Sequence, residues 1–153
     1  MNIFTTDICP IKSAQDHSDV HCRKMVIEAA QLLSTAHVVL DDNQVAYKST
    51  HANHPSSKWV RECRGNYRWA YNHFKALCDE YEYRFNKKHK CSELLGVLMV
   101  APINIPKGGR TDFAMAMPDN FKMQGLTDPT KAYKLYLKHK FSEWATRTEK
   151  RQI

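Results

Sequence analysis

Five polar residues, His17, His21, Lys24, Glu28 and Gln31, recur at helical spacing within the stretch Ile11 to Leu33. At 100° per residue they fall in an arc of about 80° on one helix. The same stretch has a separate solvent face in Asp16, Asp19, Arg23, Ala30 and Ser34, with Val20 and Ile27 dividing the two stripes. Cys22, Met25, Val26, Ala29, Leu32 and Leu33 cover the far side. A surface helix needs one polar face, so a second one has to be explained. One explanation is a buried ion-pair network between packed helices. The other is the wall of an active site, since titratable groups among apolar neighbours are the groups whose proton affinity is tuned for acid–base work. His17 and His21 also form an i, i+4 pair, but no third ligand accompanies them, so no metal is expected.

The elements that must hold this stripe follow from the punctuation. An extended arm over Asn2 to Thr5 leads through a turn at Asp7 to Pro10, and Pro10 suits the first turn of a long helix from Ile11 to about Ala36. Asp41-Asp42-Asn43 between two short β-prone runs, Val38–Leu40 and Val45–Tyr47, predicts a small hairpin. A polar loop ends at Asn53-His54-Pro55, and Ser56 or Ser57 is expected to cap a short helix reaching about Arg64, where Gly65-Asn66 ends or kinks it. A second long helix runs from Tyr67 to Phe85, with Ala70, Phe74, Leu77, Cys78 and Tyr81 as its core face. Ser92 caps a shorter helix through about Val100. Residues 101–127, rich in Pro and Gly, form a long irregular loop of the kind that is usually functional or mobile. A last helix runs from Asp128 to about Thr146, with Ala132, Tyr133, Leu135, Tyr136, Phe141 and Trp144 as candidate core, and 143–153 is a basic tail. The expected class is all-α, one compact domain over 1–153.

A second group of residues points to an anionic partner. Arg61, Arg64, Arg68 and Lys75 share a face if the two middle helices are nearly continuous, and such a strip lines up along a phosphate backbone. Asp79 on the same side favours an ordinary solvated face instead. The backbone N–H groups of Ser56 to Lys58, with His54 beside them, are a further anion-binding candidate. Trp59 is expected in the core. The net charge of +7, from 23 Lys and Arg against 16 Asp and Glu, agrees with DNA or a nucleotide as partner.

Other classes are excluded by what is missing. The chain has no Gly-rich phosphate loop, no His-Glu-x-x-His and no Gly-x-Ser-x-Gly, and no cofactor is expected. No apolar run reaches the length of a membrane span, and the first residues carry neither the basic nor the hydrophobic region of a signal peptide. Five scattered cysteines without a Cys-x-x-Cys pair fit reduced thiols. The expected location is the cytoplasm, of a bacterium or of a bacterial host if the chain is phage-encoded.

The chain resembles the pyrimidine-dimer DNA glycosylase superfamily, the endonuclease V type of bacteriophages and its uncharacterised bacterial and phage relatives. The residues that carry the resemblance are the arm Met1–Phe4, Ser13-Ala14-Gln15, and Asp19-x-His21 with Glu28 seven positions on, continuing as Ala29-Ala30-Gln31-Leu32-Leu33. Asn53-His54-Pro55 with Trp59, and Leu77-Cys78-Asp79-Glu80-Tyr81, extend it through residues 1–85. It implies a compact all-α fold and a reaction in which an N-terminal amine attacks C1′ of the damaged nucleotide while a helix-borne glutamate does the acid–base work. Glu28 matches that glutamate. Asn2 is large enough that the initiator methionine should stay, so the amine would be that of Met1. The arginines that flank the glutamate in the phage enzyme are replaced here by Ile27 and Gln31.

The leading expectation is a DNA glycosylase-like enzyme acting on damaged or modified bases. Glu28, His21, Lys24 and Met1 are its candidate catalytic residues. His17, Gln31, His54, Arg61, Arg64 and Arg68 are its candidate substrate-binding residues. The alternatives are a non-catalytic protein that binds or sequesters a nucleotide or other phosphorylated ligand in the same pocket, and a base- or nucleotide-modifying transferase.

Overall fold

A computed structural model describes residues 3–114 and 129–138. The fold is all-α, with no strand among the described residues. The order is α1 (Pro10–Gln15), α2 (Asp19–Asp41), α3 (Pro55–Val60), α4 (Arg64–Phe85), a 3₁₀ turn over Lys90–Leu94 running into α5 (Leu95–Leu98), and α6 over 129–138.

The first expected helix is two helices. α1 stops at Gln15, and Ser18 starts α2 by accepting from the His21 N–H at 3.2 Å, with Asp19 in the first turn. Both residues match the positive end of a helix. The carbonyls left over at the end of α1 are taken by Arg84, which donates to Gln15 O at 3.0 Å and to His17 O at 2.7 Å. His17 therefore sits in the corner between the helices, off the α2 stripe.

α2 and α4 are the antiparallel centre of the domain. Arg84 reaches Asp19 at one end, and the His37 Nε2–H donates to Tyr67 at the other. Cys22, Val26, Ala29, Leu33 and Ala36 of α2 are buried with Ala70, Phe74, Leu77, Cys78 and Tyr81 of α4, the α4 face expected from periodicity. Each large side chain removed from water here contributes about 1.5–3 kcal/mol.

The expected hairpin is absent. α2 continues through Val38–Leu40 to Asp41 and closes on Asp42 in the left-handed region at φ 50°. The following loop then lies along α2. Ser34 Oγ donates to Tyr47 O at 2.7 Å, and the Thr50 N–H donates to Thr35 Oγ1 at 3.2 Å. This loop covers Ser34; Ser34 and Ala30 are both buried, whereas Val20 and Ile27 are exposed. The α2 surface therefore has its solvent side where a dividing apolar line was expected.

α3 is capped by His54, whose Nδ1 accepts from the Ser56 N–H, and not by Ser56 or Ser57. α4 starts at Arg64, three residues before the expected Tyr67. The Gly65-Asn66 pair does not break it, because the loop at 106–111 closes on that first turn. Pro106 O and Gly108 O accept from the Arg64 and Gly65 N–H groups at 2.8 and 2.9 Å. Asn66, fully buried, donates to Trp59 O and Thr111 Oγ1 and accepts from the Thr111 N–H. The helix expected from Ser92 to Val100 is the short 3₁₀ turn and α5, with His89 as cap. Residues 101–114 are irregular, as expected, and α6 buries Ala132 and Tyr133 while Leu135 stays at the surface.

The second half of the long loop, the end of the last helix with Phe141 and Trp144, and the 143–153 tail lie outside the described residues. All five cysteines are free thiols. No helix among the described residues is long and apolar enough to cross a membrane.

Candidate functional site

The N-terminal arm is folded against the start of α2. Phe4 is buried, with its ring 4.5 Å from His21 and 5.7 Å from His17. Ser13 pins the arm by donating to Phe4 O at 2.8 Å and accepting from the Thr6 N–H at 3.2 Å. From the other side Tyr133 and Tyr136 of α6 approach Phe4 at 6.1 and 6.4 Å. The arm is thus a layer between α2 and α6.

Behind Phe4 lies a histidine cluster. His17 is 3% exposed, and its ring is 5.5 Å from His73, which stacks on Trp69 at 5.1 Å. His17 Nδ1–H donates to Ser13 O at 2.8 Å, so Nε2 carries the lone pair; among the described residues no group pairs with Nε2. His73 Nδ1–H donates to Pro10 O at 3.2 Å. Burial, reinforced by mutual repulsion, depresses the pKa of His17 to about 3, and burial takes that of His73 to about 4. Both rings are neutral at physiological pH. His17 is therefore a packing and positioning residue under the arm and does not reach solvent to orient a nucleotide.

Along α2 the stripe emerges from this cover. His21 is buried, Lys24 is exposed, and Glu28 and Gln31 are half-buried. At 1.5 Å per residue the line from His21 to Gln31 is about 15 Å long. Among the described residues the arm covers its N-terminal end, at His21.

His54 and Arg61 are engaged locally. His54 holds the Ser56 N–H, and its carbonyl accepts from Lys58, so the N-terminus of the six-residue α3 is occupied and is no open anion site. Burial lowers the pKa of His54. Arg61 donates to Ser57 Oγ at 3.1 Å. Trp59 is buried, packed at 6.0 Å from Trp69 and 5.4 Å from Phe113, with its Nε1–H on Asp112 O.

Arg64 and Arg68, with Lys75, line a different place, a groove of about 740 Å³ between α4 and residues 99–103. By helical phase these three cations lie about 140° around α4 from Trp69 and His73. On α2, the residues that touch the groove's far wall or floor, His37 and Asp41, lie about 180° from His21. The groove and the arm-covered stripe are thus on opposite sides of the α2–α4 pair. The structure does not bring Arg64 and Arg68 to Glu28.

No protein-family model, no curated protein and no solved structure matches the chain. The geometry stands alone. Met1 lies outside the described residues. Phe4, Trp69 and His73, the companions of His17 and His21, are not among the expected site residues. Trp69 and His73 are four residues apart, an i, i+4 signal visible in the chain, but their link to Phe4 is tertiary.

Proposed function

We propose that the protein is a DNA glycosylase-like enzyme acting on a damaged or modified base, with its chemistry on the α2 stripe. One observation carries the reading: the arm is laid on the N-terminal end of the same α2 stripe that holds Glu28, with Phe4 against His21. An amine-and-glutamate mechanism of the kind the resemblance implies needs the N-terminal arm on this side of α2. Glu28 is the acid–base residue, Lys24 its exposed cationic neighbour, and Gln31 the amide that orients the nucleotide; His21 and His17 support the arm from below. The target base must leave the stack to reach this surface. In the reaction the amine nitrogen bonds to C1′ while the base departs with the glycosidic electron pair and is protonated; the C1′–O4′ bond then opens, O4′ taking the proton that nitrogen sheds, and the resulting imine is reducible.

Borohydride trapping with duplexes carrying a thymine dimer or an abasic site tests this. A covalent adduct on the N-terminal peptide is the expected result. A folded protein of intact mass that gives no adduct on either duplex overturns the amine mechanism.

Binding of a nucleotide or other phosphorylated ligand without chemistry is a second reading, and one feature favours it. Thr6 of the arm, Lys12, Asp16, Lys134, Leu137 and Lys138 line a cavity of about 350 Å³ between α1 and α6. That is within the size range of small-molecule sites. Free nucleotides would then raise the melting temperature more than duplex DNA does.

A further inference from the structure

The groove on the far side of α4 has a built shape and a consistent chemistry. Arg64, Arg68 and Lys75 are exposed and fall within an arc of about 40°, a row about 16 Å long by helical rise. Facing them are Met99, Val100 and Ile103, at 63%, 65% and 86% exposure. Asn72 supplies an amide on the α4 side. No acidic residue lines the groove among the described residues.

The wall is held in place from behind. Tyr67 Oη–H donates to Leu98 O at 2.6 Å, and Tyr71 Oη–H donates to Leu95 O at 2.8 Å. The Asp41 carboxylate accepts from the Ile103 and Asn104 N–H groups at 2.7 and 3.0 Å. The backbone of this wall is therefore fixed before a ligand enters. Three large apolar side chains left in water next to three cations that have no ion-pair partner among the described residues are not explained by folding.

From this juxtaposition of a cationic row with an apolar wall we infer that the groove binds single-stranded nucleic acid, phosphates on α4 and base faces on residues 99–103. Duplex DNA presents the phosphates but hides its base faces in the stack, so it uses half of the groove. An acidic peptide satisfies the cations, yet lacks the regular pairing of one anion with one flat apolar group per unit. The concave shape keeps a flat anionic membrane away from the α4 cations. The site is independent of the Glu28 reading, because it lies on the opposite side of the α2–α4 pair.

The test is fluorescence anisotropy with a labelled oligothymidylate of about a dozen nucleotides. Its competitors are the matching duplex, thymidine monophosphate and polyglutamate. The wild-type protein is expected to prefer the single strand over the duplex by at least about tenfold at moderate salt. Replacing the cations together (Arg64→Gln, Arg68→Gln, Lys75→Gln) should lower the slope of log affinity against log salt by about two, as three single-strand phosphate contacts require. A second variant, Ile103→Ser, removes apolar surface at a highly exposed position and changes no charge. It should reduce single-strand affinity several-fold while sparing duplex binding. The inference is overturned if the triple variant, folded by circular dichroism, keeps the wild-type slope. It is overturned equally if the monophosphate or polyglutamate competes as well as the oligonucleotide, or if the Ile103→Ser variant binds the oligothymidylate like the wild type. Borohydride trapping reads the α2 stripe and the salt slope of the triple variant reads the groove, so failure here is distinguishable from failure of the glycosylase reading.

Discussion

Arg84 Nη1 donates to the carbonyl oxygen of His17 across 2.7 Å, tying the last turn of α4 to the corner between α1 and α2. The same guanidinium holds Gln15 O, Glu80 and Asp19. One cation thus satisfies helix-end carbonyls that the helices cannot satisfy themselves, and it fixes the corner on which the His17 ring and the arm rest.

Arg84→Met keeps the aliphatic packing and removes the donors. It should cost about 2 kcal/mol, since charged hydrogen bonds to partly buried acceptors are lost. Denaturant unfolding measures this directly. Hydrogen exchange in residues 13–21 should accelerate more than in the α2–α4 centre, and uniform acceleration would contradict the local role of Arg84.

Stability should fall in mild acid because His17 and His73 are kept neutral. Above about pH 6.5 folded and unfolded states are both neutral at these positions, and no cost arises. Below it the unfolded chain takes up protons that the folded chain refuses until the pH approaches about 4 for His73 and about 3 for His17. Each ring then removes about 1.4 kcal/mol per pH unit in that window. The melting temperature should drop steadily from pH 6.5 to 4.5. His73→Phe, which preserves stacking on Trp69, should roughly halve the slope; an unchanged slope would assign the acid sensitivity elsewhere.

Gly65→Ala tests the closure of the 106–111 loop on α4. An added Cβ would stand 2.4 Å from Arg110 N and 2.6 Å from Gly109 C, both backbone atoms of that loop. The loop must move, and a loss of about 1–3 kcal/mol is expected from such overpacking. Trp59 reports on it through its bond to Asp112 O, so its fluorescence should shift. A variant as stable as the wild type with unaltered fluorescence would show that the loop does not rest on Gly65.

Glu28→Gln is nearly isosteric at a half-buried position. On the glycosylase reading it should abolish turnover, by at least about a hundredfold as for loss of a general acid–base group. The melting temperature should change by less than a few degrees. A large loss of stability with activity retained would mark Glu28 as structural.

The α4 core face, the burial of Trp59 and the all-α class were legible in local pattern, because helical periodicity and apolar content act over a few turns. The basic row was legible in part: spacing puts Arg64, Arg68 and Lys75 on one face, whereas Arg61, expected in the same row, follows the end of α3 and bonds Ser57 because the two helices are not continuous. The break at His17 was partly legible in Ser18 and Asp19, a capping pair inside an apolar-periodic run that outweighed it. What closes that corner is Arg84, 67 residues away in the chain, and no local pattern carries such a contact. The sidedness of the candidate sites is tertiary as well. Two helices each with several marked faces can pack in more than one rotation, and only the buried contacts between α2 and α4 decide which faces point the same way. That packing separated the arginines from Glu28, roofed His21 with Phe4, and put the apolar segment 99–103 opposite the cations.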